Sequence, residues 1–262
     1  MPNVSRIAPL LKPEIESAIA SGRIPIVDGA PNLLTFEVSA RSDHLSHSPP
    51  SVVDDLIGET DGLVLNLSAG GTARKASNVV ELEWGLFRHT DISADAHDLP
   101  FRDGVFDGVV CLNSFEHYHS PSVVTSEIHR VLKPGGWVYV LTAFLQPMHM
   151  HPHHYFNVTT SGLKKWFEAW DIERCGATEY HNVVLALQWI ANSALWAFET
   201  TGATVDLKDI TLDDLRKGWQ GNAPENVRRA HAAAARLPQK MRDNAAQALE
   251  IFARRSVDPP SS

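Results

Sequence analysis

The sequence predicts an α/β protein built on a doubly wound, mostly parallel sheet, and three observations carry that expectation. Residues 91–136 alternate apolar runs with one helical pattern: a short run at 91–94, a longer one at Phe106–Leu112, then a stripe of Val123, Val124, Ile128, Val131 and Leu132. Strand, helix and strand in that order imply parallel strands joined by right-handed crossovers, with ligands at their carboxyl ends. The Phe106–Leu112 run is apolar almost throughout, as strands buried on both faces are. Pro121 opens the helix, and Lys133-Pro134-Gly135-Gly136 stops it, because proline cannot continue a helix and glycine permits the left-handed turn. Residues 137–144 then supply the next buried strand.

Composition sets the bounds. A chain of 262 residues has room for one domain with appendages and a sizeable core. A hydrophobic fraction of 44% and a charged fraction of 21% are ordinary for a globular protein. The net charge of −8 argues against a broad nucleic-acid-binding face, which needs clustered Lys and Arg. The two cysteines, Cys111 and Cys175, make no disulfide framework. No basic-then-apolar leader opens the chain, so the cytoplasm is the expected compartment.

Taken in order, the chain divides into an extension over 1–60, a core over 61–180, a helical extension over 181–256 and a tail at 257–262. Leu10, Leu11, Ile15 and Ile19 predict a short helix, and Asp28-Gly29 predicts a hairpin turn. Residues 39–51 are polar and proline-containing, a loop expected to lie over a ligand site. The first core strand begins at Leu63 and ends in Ser68-Ala69-Gly70-Gly71-Thr72; the second spans 78–83. Little more than a turn of helix fits between them, and little between Trp84 and Thr90, so the early helices are shortened. Further on, Thr160-Ser161 predicts the cap of a helix over 162–170, and 172–178 a sixth strand, with no seventh evident. Asn182 should cap a long helix bearing Trp189 and Trp196, which leaves a membrane-surface or homodimer role open beside core packing. Residues 212–254 read as a short helix and a helical hairpin broken near Leu237-Pro238, with a stripe of Val227, Ala234, Met241, Ala245, Leu249 and Phe252.

Asp95-Ala96, Leu99-Pro100-Phe101, Phe106-Asp107, Glu116-His117, Glu127 and the run from Arg130 to Gly136 together resemble the middle of class I S-adenosylmethionine-dependent methyltransferases. The brevity around Gly70-Gly71-Thr72 and the later Phe144-Leu145-Gln146-Pro147 run resemble a compact subgroup of that type 11-like family, over about residues 60–170. The resemblance implies a Rossmann-like fold and S-adenosyl-L-methionine as cofactor. It places Asn66, Ser68, Ala69, Gly70 and Gly71 around the cofactor's methionine portion, with Gly71 expected to supply a left-handed position. It sets Glu83, with Glu81 as the alternative, on the ribose diol, Asp95 and Ala96 at the adenine, and Asn113 at the strand end where donor and acceptor meet. The glycine loop departs from the family's pattern, since Asn66 replaces an acidic residue and Ser68 and Thr72 replace glycines. Residues 22–34 resemble the second half of a zinc-ribbon module, but no cysteine precedes Cys111, so no such zinc site can form.

His117 and His149 have the titration range of a general base and are the candidate catalytic residues. Glu116, His149, His151, His154 and Tyr155 are the candidate substrate contacts. Four histidines fall between His149 and His154, a density that could ligate a metal, yet no nearby Asp or Cys completes a set, so the reading favours a polar substrate-facing lid and no metal. The function expected is methyl transfer to a small or medium polar acceptor such as a sugar, glycan or secondary metabolite. The alternative is a methyltransferase-fold protein that binds a ligand or partner without transferring methyl groups.

Overall fold

A computed structural model describes residues 4–34, 42–46, 49–149, 153–201, 209–234, 236 and 246–254. The predicted tail at 257–262 lies outside them, as do His151, Leu237-Pro238, Met241 and Ala245.

Short strands β1 (Ile26–Val27) and β2 (Ala30–Pro31) form the expected hairpin, turning through Asp28 at φ 46° and Gly29 at φ 81°. Two consecutive left-handed residues give a turn whose twist matches its strands. The main sheet follows: β3 (Val64–Leu67), β4 (Val79–Glu83), β5 (Ile92–Ser93), β6 (Phe106–Leu112), β7 (Leu132–Leu145), β8 (Asp171–Gly176) and β9 (Ala246–Arg254). Their spatial order is β5-β4-β3-β6-β7-β9-β8, with the first five parallel and β9 antiparallel to both neighbours. The order reverses between β3 and β6, and ligands of open α/β sheets bind at that point, beyond the carboxyl ends.

Helices lie on both faces. They are α1 (Val4–Ile7), α2 (Pro13–Ala20), α3 (Ser51–Gly58), α4 (Pro121–Val131), α5 (Thr160–Trp166), α6 (Val183–Thr201), α7 (Leu212–Trp219) and α8 (Glu225–Ala234). Alternation along the strands splits the core in two. Leu65, Leu67, Val80, Leu82, Val109, Cys111, Val138 and Val140 face one way and meet Val124, Ile128 and Leu163; Val64, Val79, Val110, Tyr139 and Leu141 face the other and meet Val53 of α3.

The connections β3–β4, β4–β5 and β5–β6 contain no helix. Helices that would cover this flank are replaced by the amino-terminal segment. Ile7 and Leu11 are fully buried against the core, Lys12 N donates to Pro100 O at 2.9 Å, and Arg102 N donates to Leu10 O at 2.8 Å. Arg6 reaches the carbonyls of Ser77 and Val79 at 2.7 and 2.8 Å. The hairpin docks alongside, where Leu33 N donates to Ser93 O and Asn32 bridges Ser93.

Two expectations require correction. Residues 246–254 form β9, not the second arm of a helical hairpin. Ala, Leu, Gln and Glu in this stretch favour helix, but β7 and β8 both present a free edge to it, and pairing along both sides overrides a weak propensity. The helical part of the extension holds for α6, α7 and α8. The α5 cap is Thr159, whose hydroxyl accepts from Gly162 N at 3.1 Å, rather than Thr160-Ser161. Asn182 caps α6 as expected, accepting from Val184 N at 2.9 Å. No helix among the described residues is long and apolar enough to cross a membrane.

Candidate functional site

The carboxyl ends of β3 to β7 converge on one rim, and the side chains there fall into two groups. The first surrounds the turn after β3. Ser68 and Gly70 take the left-handed conformation there, at φ 53° and 59°, so the left-handed positions fall at Ser68 and Gly70 rather than Gly71. Asn66 lies within β3, in register with Glu81 and Val110, and Ala69 N donates to Leu82 O. Glu83 ends β4 beside the turn: its Oε2 accepts from Gly70 N at 2.7 Å and its Oε1 from Trp84 N at 2.6 Å. Burial raises the Glu83 carboxyl's pKa above the usual carboxylate range, and the amides of Gly70, Trp84 and Gly85 oppose that rise.

Glu81 has a different task. It is fully buried, accepts from Thr72 Oγ1 at 2.8 Å, and sits beside the ion pair of Lys75 with Asp91. Its carboxyl pKa is raised, chiefly by burial. Residues 42–46 lie across the glycine turn. Ser46 Oγ accepts from Gly71 N at 2.9 Å, Ser46 N donates to Gly71 O at 2.7 Å, and Ser42 N donates to Leu86 O at 2.8 Å. A Cβ placed on Gly71 would lie 1.7 Å from His44 O, so only glycine admits this approach.

Beyond β5, Asp95 Oδ1 accepts from His97 N at 2.9 Å and faces His97 Nδ1 at 2.6 Å. His97 stacks on His119 with ring centroids 4.0 Å apart, and Ala96 is buried beside them. Asn113 ends β6 in the left-handed conformation, at φ 51°.

Sequence reasoning missed Tyr118. It is buried, its hydroxyl lies 2.6 Å from Ser68 Oγ and 3.4 Å from Cys111 Sγ, and so it ties the β3 turn to the floor of the sheet. Burial pushes the Tyr118 hydroxyl's pKa well up and the Cys111 thiol's up to about 12, so both stay protonated. The adjacency of Tyr118 to Glu116-His117 was the available signal.

The second group is the histidine cluster. Phe115–His117 forms a 3-10 turn after β6, and Glu116 within it is fully buried. Tyr155 N donates to Glu116 O at 2.7 Å, which brings the histidine segment back over the turn. His117, His149 and His154 therefore meet, with ring centroids 5.1 Å apart for 117 and 149, 5.5 Å for 117 and 154, and 4.6 Å for 149 and 154. Burial lowers the pKa of His117 and of His149, and raises that of Glu116. Both imidazoles are neutral near pH 7 on that account. Tyr155 stands apart: it is exposed, and its hydroxyl meets His153 Nδ1 at 3.3 Å. His149 also forms part of the wall of a cavity of about 170 Å³ lined by Pro147, Met148, Trp189, Ser193, Trp196 and Ala197.

Fold and rim define a class: a doubly wound α/β protein with a carboxylate at the end of β4 and another just beyond the neighbouring β5. Residues 64–140 match the family described as methyltransferase domain. Among curated relatives, the fatty-acid O-methyltransferase of Mycolicibacterium smegmatis is 37% identical over 76 residues, 29% of this chain and 25% of the relative. The ubiquinone biosynthesis O-methyltransferase of Pseudomonas paraeruginosa is 27% identical over 99 residues, 37% of this chain and 41% of the relative. The matched stretches thus span less than half of either relative. Phosphoethanolamine N-methyltransferase 2 of Haemonchus contortus aligns structurally with a TM-score of 0.46 and 15% identity, covering 79% of this chain and 52% of that one.

The donor set fits the family's cofactor at its nucleoside end. Glu83 and Ser93 are paired in register, so the carboxylates of Glu83 and Asp95 lie on neighbouring strand ends. At the methionine end, the amides of Gly70 and Gly71 are bonded to Glu83 and Ser46, and those two contacts are the ones a bound cofactor would replace or share.

Proposed function

We propose that this protein transfers a methyl group from S-adenosylmethionine to an oxygen of a small acceptor with an apolar body. The observation that carries the reading is the placement of His149, which belongs both to the cluster at the end of β6 and to the cavity walled by Trp189 and Trp196. That lining suits an aliphatic chain or ring better than the sugar or glycan expected from sequence, and the names of the fatty-acid and ubiquinone relatives point the same way.

The cofactor supplies an activated methyl on a sulfonium, so the chain's own task is alignment and proton removal. Glu83 would hold the ribose diol and Asp95 the adenine amino group. His149 Nδ1 faces Pro147 O at 2.9 Å; a carbonyl only accepts, so Nδ1 carries the proton and, in the ion-free chain, Nε2 is free to take one from an acceptor hydroxyl. Glu116 Oε1, 3.9 Å from that Nε2, would stabilise the imidazolium formed. Tyr118 keeps the β3 turn in place.

The test is formation of S-adenosylhomocysteine by the purified chain, followed over a panel of long-chain fatty acids, hydroxylated quinone precursors and sugars. Turnover with an apolar-bodied acceptor, lost in His149→Ala, supports the reading. Turnover on sugars alone overturns the acceptor class, and absence of turnover across all three classes overturns the activity.

A further inference from the structure

We propose that Glu116, His117 and His149 form a binding site for one first-row divalent transition-metal ion, with Zn²⁺ as the reference ligand. The three side chains offer one donor atom each, all within 4.8 Å of one another. Two imidazoles and one carboxylate are a donor set that holds Zn²⁺, and also Fe²⁺, Co²⁺ or Ni²⁺, while leaving positions open.

The hydrogen bonds behind these donors point to ligation. His117 Nδ1 lies 2.8 Å from His153 O, and His149 Nδ1 lies 2.9 Å from Pro147 O. Carbonyl oxygens only accept, so both Nδ1 atoms carry protons and both Nε2 atoms keep a lone pair in the neutral ring. An imidazole whose far N–H is fixed on a backbone carbonyl is how metal-ligating histidines are held. Glu116 follows the same logic: Oε2 accepts from Thr142 Oγ1 at 3.0 Å, whereas Oε1 has no hydrogen-bond partner among the described residues. A fully buried carboxylate oxygen without a donor is costly, and a cation satisfies it.

His154 is excluded as a ligand by the same accounting. Its Nδ1 accepts from His149 N at 3.3 Å, so its Nε2 carries the proton toward Asn157 Oδ1 at 3.2 Å. It positions the backbone of His149 instead. The acid missing from the histidine segment is thus supplied by the turn after β6. Ligand bonds of about 2.0–2.2 Å require the donors to draw together, which the rotamers of two half-buried imidazoles allow.

Metal binding at these three residues is measurable without reference to methyl transfer. The full-length, untagged chain is stripped with chelator, dialysed and titrated calorimetrically with Zn²⁺, and with Co²⁺ followed by visible absorption. We expect one ion per chain, a Co²⁺ spectrum of low coordination number, and affinity reduced on the order of 100-fold or more in His117→Ala and in His149→Ala, each checked for native melting. His153→Ala should bind as the parent does, since only its backbone carbonyl is used. Glu116→Gln keeps the shape and should also lose the ion. No stoichiometric binding at micromolar protein would overturn the proposal, as would unchanged affinity in both histidine variants or loss in His153→Ala.

Discussion

Arg130 offers the sharpest test of how the rim is held. Its guanidinium donates to Glu127 Oε1 and Oε2 at 2.8 and 2.7 Å, to Asp103 Oδ1 at 2.8 Å, and to the carbonyls of Phe101 and Leu99 at 2.7 and 2.9 Å. Glu127 in turn accepts from Leu99 N at 2.8 Å. One side chain of α4 therefore pins the whole segment that leaves the Asp95 turn. Arg130→Lys keeps the charge, but an ammonium has three donors on a point charge where five fixed ones stood. At least two of the five bonds are lost. Bonds to a charged donor are worth about 1.5–3 kcal/mol each, so two give roughly 3–6 kcal/mol. The Arg130 side chain is 23% exposed, and solvent returns part of that, leaving about 3 kcal/mol. For a chain of this size that lowers Tm by about 6–12 °C. The assay is thermal unfolding followed by circular dichroism, with Lys133→Arg as a control, since the half-exposed Lys133 makes a single surface ion pair, to Asp107, among the described residues. A Tm for Arg130→Lys within about 2 °C of the parent would refute the claim that this network anchors the segment.

Three further outcomes follow from the site. Ser46→Ala frees the Gly71 amide without changing the fold, and should tighten S-adenosylhomocysteine binding about fivefold, the worth of roughly 1 kcal/mol, in a calorimetric titration. Gly71→Ala places a Cβ against His44 O, so residues 42–46 should lift away and limited proteolysis should cut there faster than in the parent. Glu81 has a pKa raised by burial, so the folded state binds its proton more tightly than the unfolded chain does. Its stabilising effect is present in acid and is lost as pH rises through the folded pKa. Chemical denaturation at about pH 4.5 and pH 7 should therefore show Glu81→Gln gaining stability relative to the parent toward neutral pH; a difference that does not move with pH would count against the burial argument.

Much of the rim was legible because its residues are local. From Asp95 to Gly136 each strand, turn and stop signal lies within a few residues of the next, so periodicity and glycine placement suffice. What pairs at a distance was not. Leu10, Leu11, Ile15 and Ile19 read as a short helix; nothing in them says that this segment stands in for the helices missing between β3 and β6. The strand β9 is composed of good helix formers, and its partners β7 and β8 lie far back in the chain, so propensity gave the opposite expectation. The histidine segment lacked an acid in its own neighbourhood, and Glu116 reaches it from the turn after β6, where Tyr155 N and Phe156 N bond its carbonyl. Tyr118, hidden behind the more conspicuous Glu116-His117 pair, holds the β3 turn through Ser68.

The central claim is that the ends of β3, β4 and β5 form an S-adenosylmethionine site despite the altered glycine turn. Calorimetric titration of the full-length chain with S-adenosylmethionine tests it most directly, alongside Glu83→Ala and Asp95→Ala variants that melt as the parent does. One site per chain is expected, with binding weakened at least about tenfold in each variant, because a hydrogen bond to a charged group is lost. Absence of binding at millimolar cofactor, or binding by both variants as tight as by the parent, would contradict it.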